Sequence, residues 1–241
     1  MPGFFEKAVD AGAELLSPTR CVGCDLPGEL LCDKCMRELP WFAQARACPN
    51  CGAPTGDLTC TECDEPWETR ATICAMGFEG PAARMVPALK DYHELRLAPV
   101  MASAMLCALE EAALFAAADG RPRFDPRAVD GVCFVPATAA AYRRRGFDHM
   151  ELVAARLARE LGLPLVDALV RESLHDQRDL GQLEREKNLA GSVRTVADVC
   201  GMRLLLADDV ITTGASVREC ARALLARGAG EVTAVSFARV W

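Results

Sequence analysis

Two adjacent carboxylates, Asp208 and Asp209, follow the apolar run Leu204-Leu-Leu-Ala207 and precede Val-Ile and the small-residue loop Thr212-Thr-Gly-Ala-Ser216. The pattern reads as a buried strand ending in an acid pair, then a loop that opens a helix near Ala215. Such a crossover can hold a sugar phosphate at both ends. Backbone N–H groups of residues 212–216 would converge on a phosphate at the positive end of the helix. The two carboxylates would accept hydrogen bonds from ribose hydroxyls, directly or through a divalent cation. Thr212, Thr213 and Ser216 add hydroxyls, and Gly214 allows close backbone approach. The same residues also suit a plain strand and N-capped helix with a solvated acid pair. No dinucleotide fingerprint and no Walker pattern occurs, which turns the reading away from NAD and ATP.

The second chemical feature is cysteine. Eight of the 13 cysteines form four C-x-x-C pairs: Cys21/Cys24, Cys32/Cys35, Cys48/Cys51 and Cys60/Cys63. One C-x-x-C turn offers two thiolates to a zinc ion, and two turns complete a tetrahedral sulfur site, so four pairs supply two structural zinc ions. Consecutive pairing is preferred, with Cys21, Cys24, Cys32 and Cys35 at one site and Cys48, Cys51, Cys60 and Cys63 at the other; a cross-braced arrangement is compatible with the same spacing. A redox dithiol is the competing reading. It requires one C-x-x-C opening a helix in a βαβ unit, not four repeats. The other five cysteines sit singly and read as core filler.

These residues need elements to position them. The 241 residues are 51% hydrophobic, enough for a sizeable core. A net charge of −7 gives no global attraction for nucleic acid or anionic membrane. Residues 1–70 carry 6 Lys and Arg against 12 Asp and Glu, so the cysteine region does not favour nonspecific phosphate binding. No apolar run approaches the roughly 20 residues of a membrane span, and no membrane insertion is expected. The start of the chain, with Glu6, Asp10 and Glu14, lacks a secretory pattern, and a cytoplasmic location is expected. Its apolar residues suggest a short amphipathic helix over 1–16.

Further along, strands are expected at 71–78, 129–135, 163–166, 203–207 and 231–238, and helices at 80–90, 98–118, 148–161 and 216–227, with Gly228 closing the last. Residues 136–147 read as a loop and 171–195 as a charge-dense polar stretch. Alternating strands and helices predict an α/β fold with a mostly parallel sheet and flanking helices, binding ligand beyond the carboxyl ends of the strands. The division expected is a Cys-rich module over 1–66 and an α/β domain over 67–241.

The segment Asp208-Asp-Val-Ile-Thr-Thr-Gly-Ala-Ser216 resembles the phosphoribosyl-pyrophosphate (PRPP) motif of type I phosphoribosyltransferases, with Ala207 where Val is usual and Ser216 where Thr is usual. Further elements resemble the ComF family of competence-related proteins: the four C-x-x-C pairs, Glu79-Gly80 with Leu89-Lys90, Val135-Pro136 with Arg143-Arg-Arg-Gly-Phe-Asp-His149, and Gln177, Leu180, Glu184, Arg185 and Asn188 in one loop. All occur in the family's order over nearly the whole chain. Asp148 and His149 depart from the family's Asn-Gln, and Asp148 would weaken anion binding unless it faces away or helps hold Mg²⁺.

The resemblance implies a double zinc ribbon before a type I phosphoribosyltransferase-like domain. It further implies that PRPP binds with Mg²⁺ at Asp208, Asp209, Thr212, Thr213, Gly214, Ala215 and Ser216. Residues 136–147, with Arg143, Arg144 and Arg145, would face the pyrophosphate. Residues 171–193 would form a hood bringing Arg185 or Lys187 to the leaving group. The activity implied is phosphoribosyl transfer to an unidentified acceptor. The alternative is a non-catalytic protein handling single-stranded DNA, with DNA-uptake proteins as partners.

Overall fold

Long apolar runs broken by helical segments cannot be solvated on either face, and they assemble into a parallel sheet buried on both sides. The computed structural model describes residues 18–56, 59–171 and 192–241. Strands β1 (Ala71–Gly77), β2 (Gly131–Phe134), β5 (Arg203–Ile211) and β6 (Glu231–Arg239) form one four-stranded sheet in the order β1-β6-β5-β2. All three pairings are parallel. A separate antiparallel pair joins β3 (Leu169–Arg171) to β4 (Val193–Thr195). Among the described residues no helix is long and apolar enough to cross a membrane.

The chain forms two compact units. One comprises residues 1–40 and 79–97; the other, 41–78 and 98–241, holds the whole sheet. In the smaller unit lie helices α1 (Asp33–Arg37) and α2 (Gly80–Lys90). In the larger, α3 (Leu97–Ala112, its first residue falling in the smaller unit), α4 (Ala139–Arg145), α5 (His149–Leu161) and α6 (Ala215–Ala226) follow in order. Ile73, Leu205, Leu206, Val235 and Phe237 are fully buried, and each contributes on the order of 2 kcal/mol by leaving water.

The open edge of β1 is covered by the chain that precedes it. Phe42 N–H donates to Ala75 O at 3.0 Å, and Thr72 N–H to Pro49 O at 3.0 Å. The buried Gln44 amide donates to Cys74 O at 2.9 Å. Covering an edge in this way removes a template for aggregation.

Four expectations are corrected. The helix expected over 98–118 stops at Ala112, because Arg123 N–H donates to Phe115 O and Ala116 bridges to Pro122. Residues 163–166 form only an isolated bridge, Leu165 to Val132, rather than a strand. The loop expected over 136–147 contains α4, whose first turn is capped by the Thr138 hydroxyl accepting from Ala141 N–H at 3.1 Å. Strand β5 does not end at Ala207; it pairs with β6 as far as Ile211 opposite Arg239. The helix expected over 1–16 and most of the proposed hood fall outside the described residues.

Candidate active site and metal centres

Strand β2 stops pairing with β5 at Phe134 opposite Ala207. Asp208 and Asp209 are the next two residues, so β5 carries them past the carboxyl end of its neighbour, beside the crevice where open α/β sheets bind ligands. Alternation along the strand sends them to opposite faces. Asp208 follows Leu204 and Leu206, which pack in one core with Val217 and Cys220 of α6. Asp209 faces α5, where its Oδ2 meets Nε2 of His149 at 2.8 Å. Both acids are largely enclosed, 6% and 8% exposed. Asp208 Oδ1 accepts from Asp209 N–H and Asp209 Oδ1 from Val210 N–H, at 2.9 and 2.7 Å.

His149 is a residue that sequence reasoning had noted only as a departure. It is the first residue of α5, buried, with Nδ1 making no hydrogen bond and lying 3.7 Å from Asp148 Oδ1. Its place beside Asp209 spans 60 positions, so no local pattern could reveal it. Asp148 does not confront an anion with a free charge. Its Oδ1 accepts from Met150 N–H at 2.9 Å and its Oδ2 from Ala137 N–H at 2.6 Å, capping α5 and tying down the chain that leaves β2.

After β5 the chain bends through Thr212, Thr213 and Gly214 into α6. Gly214 has φ +80°, a conformation natural to glycine, and its O accepts the first helical hydrogen bond, from Arg218 N–H. The N–H groups of Ala215, Ser216 and Val217 belong to the first turn, which has no acceptors within a helix. Ala215 N–H has a weak contact to Thr213 Oγ1 at 3.4 Å. Thr212 and Thr213 are exposed, and Ala215 and Ser216 half-buried. The loop therefore presents hydroxyls and amide donors at the positive end of a 12-residue helix.

Arg143 and Arg144 are exposed near the end of α4, with Arg145 half-buried. Arg143 lines a cleft of about 450 Å³ together with Phe134, Ala137, Asp148 and Arg171. Arg171 has Nε and one terminal nitrogen buried without a hydrogen bond. Arg185 and Lys187 lie outside the described residues.

The eight paired cysteines gather as two groups of four, Cys21/Cys24/Cys32/Cys35 and Cys48/Cys51/Cys60/Cys63, the sulfurs of each within 4.8 Å of one another. This is the consecutive pairing. A tetrahedron of Zn–S bonds of about 2.3 Å separates its sulfurs by about 3.8 Å. Observed separations are 3.7 Å for Cys24–Cys32, 3.8 Å for Cys48–Cys63 and 3.5 Å for Cys51–Cys60. These are far longer than a disulfide and fit zinc.

Local electrostatics prepares each group for a cation. Burial pushes the Cys21 thiol up, but N–H groups of Cys32, Cys24 and Gly23 outweigh it and bring it to about 6. Cys48 falls to about 5, chiefly through the Cys51 thiol, against the effect of burial. Burial and the neighbouring sulfurs push Cys35 up to about 12, and the Cys48 sulfur followed by burial pushes Cys51 up. Without a cation, only part of each group would ionise; a divalent ion would hold all four as thiolates.

Residues 151–240 match the phosphoribosyl transferase domain. The chain is 28% identical to DNA utilization protein YhgH of Salmonella typhi over 229 residues, covering 90% of this chain and 96% of that protein. It is 23% identical to Competence protein F of Haemophilus influenzae over 226 residues, covering 91% and 90%. Among solved structures, glutamine PRPP amidotransferase from B. subtilis aligns with a TM-score of 0.39 and 18% identity over 73% of this chain; the chain spans 32% of that enzyme's length. The matched domain, the parallel sheet with its flanking helices, two tetracysteine groups that fit a double zinc ribbon and homologues bearing those two names bear out the resemblance to the ComF family.

Proposed function

We propose that the chain binds PRPP with Mg²⁺ and transfers its phosphoribosyl group to a nucleophilic acceptor, and that two structural zinc ions hold its cysteine groups. The 5-phosphate would rest on the amides and hydroxyls of residues 212–216, and Asp208 and Asp209 would receive the ribose hydroxyls. The carrying observation is the acid pair at the overhanging end of β5, followed at once by an open helix N-terminus. In the reaction an acceptor lone pair forms a bond to the anomeric carbon while the bond to pyrophosphate breaks. Arg143, Arg144 and Arg145 would stabilise the charge on the departing pyrophosphate, with Arg185 and Lys187 as further candidates. Mg²⁺ bound with the ligand would screen the same charge.

His149 is the residue this chain adds. A ligand that engages Asp209 must share that carboxylate with the imidazole or displace it. In the shared arrangement the imidazole orients the carboxylate, so His149→Leu should weaken PRPP binding about tenfold and His149→Gln should restore it, whereas tighter binding in His149→Leu would mean that the ligand displaces the imidazole. Pyrophosphate release from Mg²⁺–PRPP, measured over a panel of nitrogen acceptors and with water alone, tests the proposal. Release that disappears in Asp208→Asn supports transfer; PRPP binding without release under any acceptor removes it.

The names of the relatives favour a second reading, in which the same pocket senses ligand and the protein handles single-stranded DNA. The α4 arginines are the candidate surface. Anisotropy of labelled oligonucleotides should then fall sharply on charge reversal of Arg143–Arg145, and unchanged binding would remove that surface.

A further inference from the structure

The second cysteine group is built into the core that supports the candidate phosphate loop. Cys48, Cys51, Ala53 and Trp67 belong to the same hydrophobic core as Leu204, Leu206 and Ile211 of β5 and Val217 and Cys220 of α6. Asn50, inside the first C-x-x-C turn of this group, makes three hydrogen bonds. Its amide donates to Cys63 Sγ at 3.2 Å and to Glu65 O at 2.9 Å, and its Oδ1 accepts from Trp67 N–H at 2.7 Å. One side chain thus ties both C-x-x-C pairs to the segment that carries Trp67.

Trp67 then meets the loop directly. A Cβ built on Gly214 would lie 2.1 Å from Cη2 of the indole and 2.5 Å from Cζ2. The ring edge therefore occupies the space a side chain at 214 would need. Arg239, at the end of β6, is 2% exposed and lies over the same ring at 5.7 Å from the centroid, with Nε and Nη1 making no hydrogen bond. A tetrathiolate around a divalent ion carries two net negative charges, and the adjacent Arg239 supplies a compensating positive one. The next residue, Glu68, bonds α6 itself: its carboxylate receives Arg218 Nε at 3.0 Å and Arg222 Nη2.

We infer that Asn50, Trp67 and Glu68 form a brace through which the Cys48/Cys51/Cys60/Cys63 centre sets the conformation of the loop at residues 212–216. Trp67 and Asn50 are positioning residues: they hold Gly214 in its left-handed conformation and the first turn of α6 in place. The brace makes zinc at this centre a condition for ligand binding at a loop that contains no cysteine. It rests on the phosphate-loop reading only for its functional consequence.

The test uses the full zinc-loaded chain. Amide hydrogen exchange of residues 211–221, which include the hydrogen-bonded amides that begin with Arg218 N–H on Gly214 O, is measured in wild type, Asn50→Ala, Trp67→Ala and Trp67→Phe, with zinc content determined for each. Exchange in 211–221 should rise about tenfold in Asn50→Ala and Trp67→Ala and less in Trp67→Phe, while residues 131–161 stay protected. Should Trp67→Ala fail to fold, Asn50→Ala and Trp67→Phe carry the test. A spectroscopic arm uses Trp41→Phe/Trp241→Phe, which leaves Trp67 as the sole tryptophan of the three in the chain. Removal of zinc by a mercurial should shift its emission to the red, and PRPP should change its intensity. Unchanged exchange in 211–221 in Asn50→Ala overturns the brace, whether or not PRPP binds. Raised exchange in a protein that shows no PRPP binding keeps the brace and removes the ligand.

Discussion

The two cysteine groups share ligand type, sulfur geometry and nearly the same spacing, with seven residues between the C-x-x-C pairs in the first and eight in the second, yet their surroundings differ. Around the first, support stays within the smaller unit. Cys21 N–H donates to Leu26 O, Val22 N–H to Leu30 O and Cys32 N–H to Cys21 Sγ, all within residues 21–32. The Arg84 guanidinium donates to Gly23 O, and α1 presents Cys35 to the group. Around the second, support reaches across the sequence: Pro49 O accepts from β1, and Asn50 reaches Trp67, which packs on Gly214. Identical coordination chemistry can thus staple a small unit in one place and form part of a larger hydrophobic core in another.

The strongest way to break this comparison is to remove one ligand from each group. Cys51→Ser should destabilise the sheet by about 3 kcal/mol or more, because a fully buried ligand is lost along with its metal. Cys24→Ser should also release one zinc, but raise hydrogen exchange only in its own unit, residues 18–40 and 79–97. Zinc content and exchange mass spectrometry check both outcomes. Equal loosening of the sheet by the two variants would erase the distinction.

A smaller effect comes from the glycine that follows the first C-x-x-C pair of the second group; in the first group that place is held by Asp25. Gly52 has φ +73°, and a Cβ there would lie 2.5 Å from Cys74 Sγ on β1. Gly52→Ala should cost about 2 kcal/mol through strain and overpacking, read from a urea midpoint at unchanged zinc content.

The smallest expected effect lies in Glu68. Burial pushes its carboxyl up, but Arg218 and Arg222 outweigh this and hold it below the ordinary 4.5. A depressed carboxylate contributes stability above its unfolded pKa and loses it as pH falls through the folded value. Glu68→Gln should therefore lower stability by the same amount at pH 7 and at about pH 5.5, with the gap closing only in stronger acid. Urea unfolding at the three conditions checks this, and a gap that closes before about pH 5 would contradict it.

What could be read in advance follows physical range. The four sheet strands were legible because each carries a cluster of apolar residues bounded by turn or polar residues, and α5 because Asp148 caps it and Gly162 closes it. Short spacers favoured the consecutive cysteine pairing without deciding it against a cross-braced one, and the positions of the sulfurs decide it. By contrast, β5 extends to Ile211 because β6 lies alongside, and that neighbour is not written in residues 208–211. Helix α4 carried a local signal, Thr138 before Ala139-Ala-Ala and Gly146 after Arg145, that the loop-like Pro136 obscured. The contacts that matter most to the site, His149 with Asp209 and Trp67 with Gly214, join distant segments and have no local signature.

Calorimetric titration of PRPP in Mg²⁺ into the zinc-loaded protein tests the central claim most directly. The account predicts saturable binding that weakens at least about tenfold in Asp208→Asn and in Asp209→Asn, with folding and zinc content unchanged. Binding that both variants retain in full, or no heat of binding in the wild type, would contradict it.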